Sequence, residues 1–87
     1  MKESSAEIYP GYFLSPGMEN EDVRNLQTYL KGIADYSGVI PPIAVTGVFD
    51  EATRDAVAAL QAQNDLPPTG NVGPATWNLI RRLYNAR

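Results

Sequence analysis

Apolar residues recur at three- and four-residue spacing through Val23, Leu26, Leu30 and Ile33, with polar residues between them, the periodicity of an amphipathic helix. Asn20 stands ahead of this run as an N-cap, and Glu21 and Asp22 place negative charge in the first turn, where the helix dipole favours it. A first helix is predicted over roughly 20–34. Between Asp35 and Val48, the residues Gly38, Pro41, Pro42 and Gly47 forbid a continuous helix and demand a long ordered connection, with a short strand-like piece at Ile43–Val45. Asp50 then caps a second helix that ends near Asn64. Its Thr53 falls at the third helical position, where it can answer the cap, and Ala56, Val57 and Leu60 supply the apolar stripe.

Pro67, Pro68 and Gly70 mark the next turn, and Gly73-Pro74 opens a third helix with proline in the first position, where its missing N–H costs nothing. Trp77, Ile80 and Tyr84 form one stripe of that helix. Leu79 and Leu83 widen it, as expected for a helix wedged between two partners. Residues 8–18 carry two Pro-containing turn signals and read as an extended segment laying apolar side chains on the body. The pattern predicts an all-α fold: a compact three-helix bundle at 17–87, an N-terminal arm at 1–16, and a long ordered loop between the first two helices.

Composition narrows the chemistry. A chain of 87 residues with 44% hydrophobic and 20% charged residues is an ordinary globular domain. Ten acidic against seven basic residues, a net charge of -3, argue against nucleic acid, which is bound mainly by Lys and Arg neutralising phosphates. Only Arg81, Arg82 and Arg87 crowd together, at a helix C-terminus where the macrodipole favours cations anyway. The absence of cysteine and histidine excludes thiolate and Ser-His nucleophiles and the usual zinc ligands, so neither a metal nor any other cofactor is expected. Carboxylates alone remain for catalysis, and Glu51 with Asp55 is the obvious pair at i,i+4, a spacing that equally describes a solvated helix face. No catalytic residue is assigned. The opening Met1–Glu7 has no apolar run and is not a signal peptide, so export is expected to come from elsewhere; no stretch of about 18 apolar residues predicts a membrane span.

Comparison of the chain with itself is more informative. Thr46-Gly47-Val48-Phe49-Asp50-Glu51-Ala52-Thr53 reappears as Thr69-Gly70-Asn71-Val72-Gly73-Pro74-Ala75-Thr76. Each copy has a turn glycine, an apolar residue two positions on, a helix-starting residue and a threonine three later. A second echo links Val23-Arg24-Asn25-Leu26-Gln27 with Val57-Ala58-Ala59-Leu60-Gln61, both glutamines directly following an apolar anchor. In their order along about 17–83, these motifs resemble the peptidoglycan-binding domain family, three-helix modules attached to amidases, lytic enzymes and spore-cortex proteins. Two features depart from the family pattern. The linker from Asp35 to Val45 is longer than in compact members, which bears on any groove beside helix one, and Leu60 stands where an aromatic is common.

The resemblance implies non-catalytic binding of peptidoglycan, with a cell-wall hydrolase domain or coat protein as the associated partner and the cell wall, the extracellular space or a spore as the location. The alternative is a protein–protein interaction module; the fold also resembles the pro-segment of matrix metalloproteases, whose inhibitory cysteine this chain lacks. Most motif residues read as structural: Gly47 and Gly70 as turns, Phe49, Leu66, Val72 and Trp77 as core, Asp50, Thr53 and Thr76 as helix starts. A wall ligand needs a shallow groove with an apolar floor and hydrogen-bonding side chains. The long linker and the starts of helices two and three could form one, which makes Tyr36, Asn71, Asn78 and Arg81 the candidate ligand-binding residues. Tyr9, Tyr12 and Phe13 either cover the core or offer a stacking surface.

Overall fold

Three caps start three helices in the computed structural model, which describes residues 8–86. The Asn20 and Asp50 side chains accept from Val23 N–H and Thr53 N–H, both at 2.9 Å, and Gly73 precedes a proline at the first helical position. The helices are α1 (Glu21–Ser37), α2 (Glu51–Gln63) and α3 (Pro74–Asn85), with no strand among the described residues. α1 packs on both of the others. Its end lies beyond the predicted residue 34, because one more turn is closed when Gly38, at φ 71°, donates its N–H to Ala34 O at 3.0 Å.

The core is built from the predicted stripes. Leu26 and Leu30 of α1, Val57 and Leu60 of α2, and Trp77 and Ile80 of α3 are fully buried with Phe49 and Val72 from the turns. Tyr29 stands edge-on to Trp77, ring centroids 5.8 Å apart, and Tyr9 does so at 6.2 Å. Leu66, expected in this core, is only half-buried; its N–H donates to Gln61 O at 2.9 Å, so the residue closes the end of α2 rather than entering between helices.

Ile43–Val45 forms no strand. Pro41 and Pro42 remove two donors, and a ladder needs a neighbour to pair with. The isolated antiparallel bridges lie elsewhere, Leu14 with Val72 and Glu19 with Val48. Ile40 and Ile43 instead bury their side chains and tie the long connection to the core.

Of the arm predicted at 1–16, residues 1–7 lie outside the described residues. Leu14 is fully buried and exchanges two backbone hydrogen bonds with Val72, at 3.0 and 2.8 Å. Tyr12 donates its hydroxyl to Asp22 Oδ2 at 2.5 Å and accepts from Asn20 Nδ2 at 3.3 Å. The hydrogen bond to Asp22 raises the Tyr12 pKa above the ordinary tyrosine value.

Two buried glutamines hold the turns that lead into α2 and α3. Gln27 Oε1 accepts from the N–H groups of Thr46 and Gly47 at 2.9 and 2.8 Å, while its Nε2 donates to Val48 O at 2.8 Å and Thr53 Oγ1 at 2.9 Å. Gln61 repeats the arrangement: Oε1 accepts from Gly70 N–H at 2.9 Å, and Nε2 donates to Asn71 O at 2.9 Å and Thr76 Oγ1 at 3.0 Å. A carboxamide has both donors and acceptors, so one side chain satisfies both sides of a buried turn.

Candidate functional site

The C-terminal ends of all three helices converge on one cavity of about 290 Å³. Ser37 ends α1, Gln63 ends α2 and Ala86 follows α3, and all three line it. Ile33, Leu60 and Leu83 give it an apolar floor. Tyr36, 69% exposed, and Val39, also exposed, stand in its lining. Gln63 Nε2 donates to Val39 O at 3.0 Å and Asn64 Nδ2 to Leu60 O at 2.8 Å, fixing two carboxamides in that lining.

A second, more open cleft of about 470 Å³ shares Ala86 with the first and is otherwise lined by Asn78, Arg81, Arg82 and Asn85. These four residues are spaced i, i+3, i+4 and i+7, one face of α3. A third depression of about 210 Å³ lies at the other end of α3, between Phe13, Leu66, Pro67, Pro74 and Asn71. Phe13 is 62% exposed and its ring lies over Gly73, so close that a Cβ there would meet it at 2.6 Å.

The four candidate residues therefore divide. Tyr36 lines the helix-end cavity, Asn78 and Arg81 line the adjoining cleft, and Asn71 belongs to the third depression. The 12 residues of α3 rise about 18 Å, which separates Asn71 from the helix end. Asn71 also has a backbone role, since its carbonyl accepts from Gln61. Depressions also lie where the sequence pointed, one of about 390 Å³ between Pro41, Pro42 and Ile43 of the long linker and Ala52 and Asp55 of α2, and the third depression at the start of α3, whereas the helix-end cavity is at the opposite ends of the helices. Val39, Gln63 and Asn85 share this surface without having been singled out, and Arg82, noted in the sequence only as part of a cluster at a helix C-terminus, shares it too. Glu51 and Asp55 are both held by Arg54 Nη2, at 3.7 and 2.8 Å, an exposed ion-pair face.

Among the described residues no group of three or more acidic, His or Cys side chains could hold a metal ion, and no described helix is long and apolar enough to cross a membrane. The profile of the peptidoglycan binding domain family matches residues 19–80. This chain belongs to that family. A zinc D-Ala-D-Ala carboxypeptidase of Streptomyces albus G is similar, 40% identical over 72 residues that make up 83% of this chain and 27% of that enzyme. The peptidoglycan-binding match takes in both glutamine-held turns and most of α3, and it stops one residue before Arg81.

Proposed function

We propose that this peptidoglycan-binding domain is a non-catalytic anchor that holds an associated wall enzyme or coat protein against peptidoglycan, in the cell wall or outside the cell, with the spore surface as one such setting. The observation that carries the reading is the helix-end surface: an apolar cavity with Tyr36 exposed in its lining, sharing Ala86 with the Asn- and Arg-lined cleft of α3. An apolar floor beside fixed polar groups suits a ligand that presents both N-acetyl or alkyl surface and hydrogen-bonding groups. Similarity to a stretch that forms 27% of a carboxypeptidase supports the partnership with an enzyme. Tyr36, Asn78 and Arg81 are the contacts assigned to this surface, with Asn71 at a separate depression.

Sedimentation of the folded domain with purified sacculi tests the reading. Saturable co-sedimentation is expected, and its absence at high protein concentration overturns it. A protein partner is the second reading, favoured by the exposed Phe13 ring beside Leu66, Pro67 and Pro74. In that case Phe13→Ala abolishes capture of the partner while Tyr36→Ala does not.

A further inference from the structure

The helix-end cavity is built without charge. Its floor is Ile33, Leu60 and Leu83, its polar side chains are those of Tyr36, Ser37, Gln63 and Asn64, and no Asp, Glu, Lys or Arg is among its lining residues. In both carboxamides the amino group is already engaged, Gln63 Nε2 with Val39 O at 3.0 Å and Asn64 Nδ2 with Leu60 O at 2.8 Å. What each offers a ligand is its carbonyl oxygen, an acceptor. The backbone around the cavity has the same polarity. The ends of α1, α2 and α3 meet here, and a helix C-terminus carries carbonyls equivalent to about half a negative charge. Peptidoglycan presents stem carboxylates, stem ammonium groups and neutral N-acetylated sugars. Helix C-termini disfavour the first, and an ammonium group finds no carboxylate in the lining. A neutral group that donates an N–H and carries a methyl matches it.

We propose that the cavity takes the acetamido group of one N-acetylated sugar of the glycan strand; this rests on the wall-binding reading above. The methyl lies on the apolar floor, the amide N–H donates to the carbonyl oxygen of Gln63 or Asn64, and the exposed Tyr36 ring packs on the C–H face of the sugar. A volume of about 290 Å³ lies at the lower end of the roughly 300–1,000 Å³ of small-molecule pockets, which suits one sugar rather than a length of strand. Ile33 and Leu60 belong to the core cluster, and both carboxamides are fixed by backbone carbonyls. The site is therefore set before a ligand arrives, which spares the cost of ordering it.

The test titrates the domain with a tetramer of β-1,4-linked N-acetylglucosamine and with cellotetraose, which has the same linkage and a hydroxyl in place of each acetamido group, following backbone amide shifts by NMR. Shifts at residues 33–39, 60–64 and 83–86 are expected with the N-acetylated tetramer. Cellotetraose is expected to bind about tenfold or more weakly, the loss of a buried methyl and one hydrogen bond. Tyr36→Ala is expected to weaken the N-acetylated tetramer by about tenfold as well, with Trp77 emission as the check that the variant folds. The comparison of the two sugars uses the unaltered protein, so it stands whatever the variant does. Equal binding of the two tetramers, shifts confined to other residues, or no shifts at all overturns the acetamido site, while sedimentation of the unaltered domain with sacculi keeps wall binding. No sedimentation together with no shifts overturns both.

Discussion

The Gln27 carboxamide donates to the Thr53 hydroxyl inside the protein at 2.9 Å, and that hydroxyl in turn donates a hydrogen bond to the Asp50 cap at 2.8 Å. A residue of α1 is thereby joined to the start of α2 through its cap, while the same carboxamide holds the turn before it. Gln61 reaches Thr76 at the start of α3 in the same manner. Two polar side chains at homologous places of an internal repeat therefore set the positions of two helices.

Replacing Gln27 with leucine keeps the side-chain volume and removes every one of these bonds. The N–H groups of Thr46 and Gly47, the latter buried, lose the partner they have in Gln27, while Val48 O keeps only the longer bond from Thr46 Oγ1 at 3.3 Å. At roughly 1–3 kcal/mol for each buried group left unpaired, Gln27→Leu is expected to cost about 3 kcal/mol or more. Gln61→Leu is expected to cost somewhat less, since Gln61 Oε1 accepts from one turn N–H where Gln27 Oε1 accepts from two. Urea unfolding followed by the emission of Trp77, the chain's single and buried tryptophan, measures both. Losses below 1 kcal/mol would show that the leucines repack and the glutamines hold nothing.

Two glycines close together in sequence are expected to respond differently to alanine. Gly70 has φ 81°, and a Cβ there would lie 2.7 Å from Arg54 Cγ, so strain and crowding both oppose Gly70→Ala, at roughly 1–3 kcal/mol. Gly73 has φ -101°, which any residue adopts, and its close neighbours are the outer atoms of the exposed Phe13 ring. That ring can swing into solvent, so Gly73→Ala is expected to cost under about 1 kcal/mol, and nothing further in a Phe13→Ala background. Thermal melts of the four variants decide it; a large loss at Gly73 in both backgrounds would mean that something other than Phe13 fixes this turn.

The helices were legible because their signals are local. Asn20, Asp50 and Gly73-Pro74 announce starts, and the stripes through Leu30, Leu60 and Trp77 announce faces. The glutamine contacts were not, although the echo placed Gln27 and Gln61 at matching positions. Gln27 lies 19 residues before Thr46 and Gln61 lies 8 before Thr69, because the long linker intervenes in only one copy, so no fixed spacing signals the contact. Ile43–Val45 looked like a strand because β-propensity describes one chain, while a ladder requires a second. The separation of Asn71 from Asn78 and Arg81 likewise depends on helix length in space, and the surface on which Tyr36 joins the end of α3 exists only once three helix ends have met.

Acid is expected to weaken the start of α2. Asp50 accepts from both the N–H and the hydroxyl of Thr53, and these bonds hold its carboxyl below the ordinary aspartate value. A depressed folded pKa contributes stability that is fully present above the unfolded value, about 3.9, and is lost as pH falls through the folded pKa. Asp50→Asn keeps a capping acceptor but cannot titrate. The stability difference between the unaltered domain and Asp50→Asn is therefore expected to be constant from neutral pH down to about 5 and to shift against the unaltered domain below about 4. A difference that stays flat down to pH 2 would show that Asp50 does not titrate with folding.

Tyr36 and Asn71 give the sharpest separation of binding from folding. Tyr36 is 69% exposed, so removing its ring leaves no cavity in the core, and Tyr36→Ala is expected to change stability by less than about 0.5 kcal/mol. If wall material lies across the helix-end cavity, the same change removes a large amphipathic contact surface and weakens co-sedimentation with sacculi by about tenfold. Asn71 reaches Gln61 through its backbone carbonyl, which alanine retains, and its side chain belongs to a depression at the opposite end of α3. Asn71→Ala is therefore expected to leave both folding and sedimentation near those of the unaltered domain. The reverse pattern, binding lost with Asn71 and kept without Tyr36, would move the wall-binding surface to the depression beside Phe13 and remove the helix-end cavity from the mechanism.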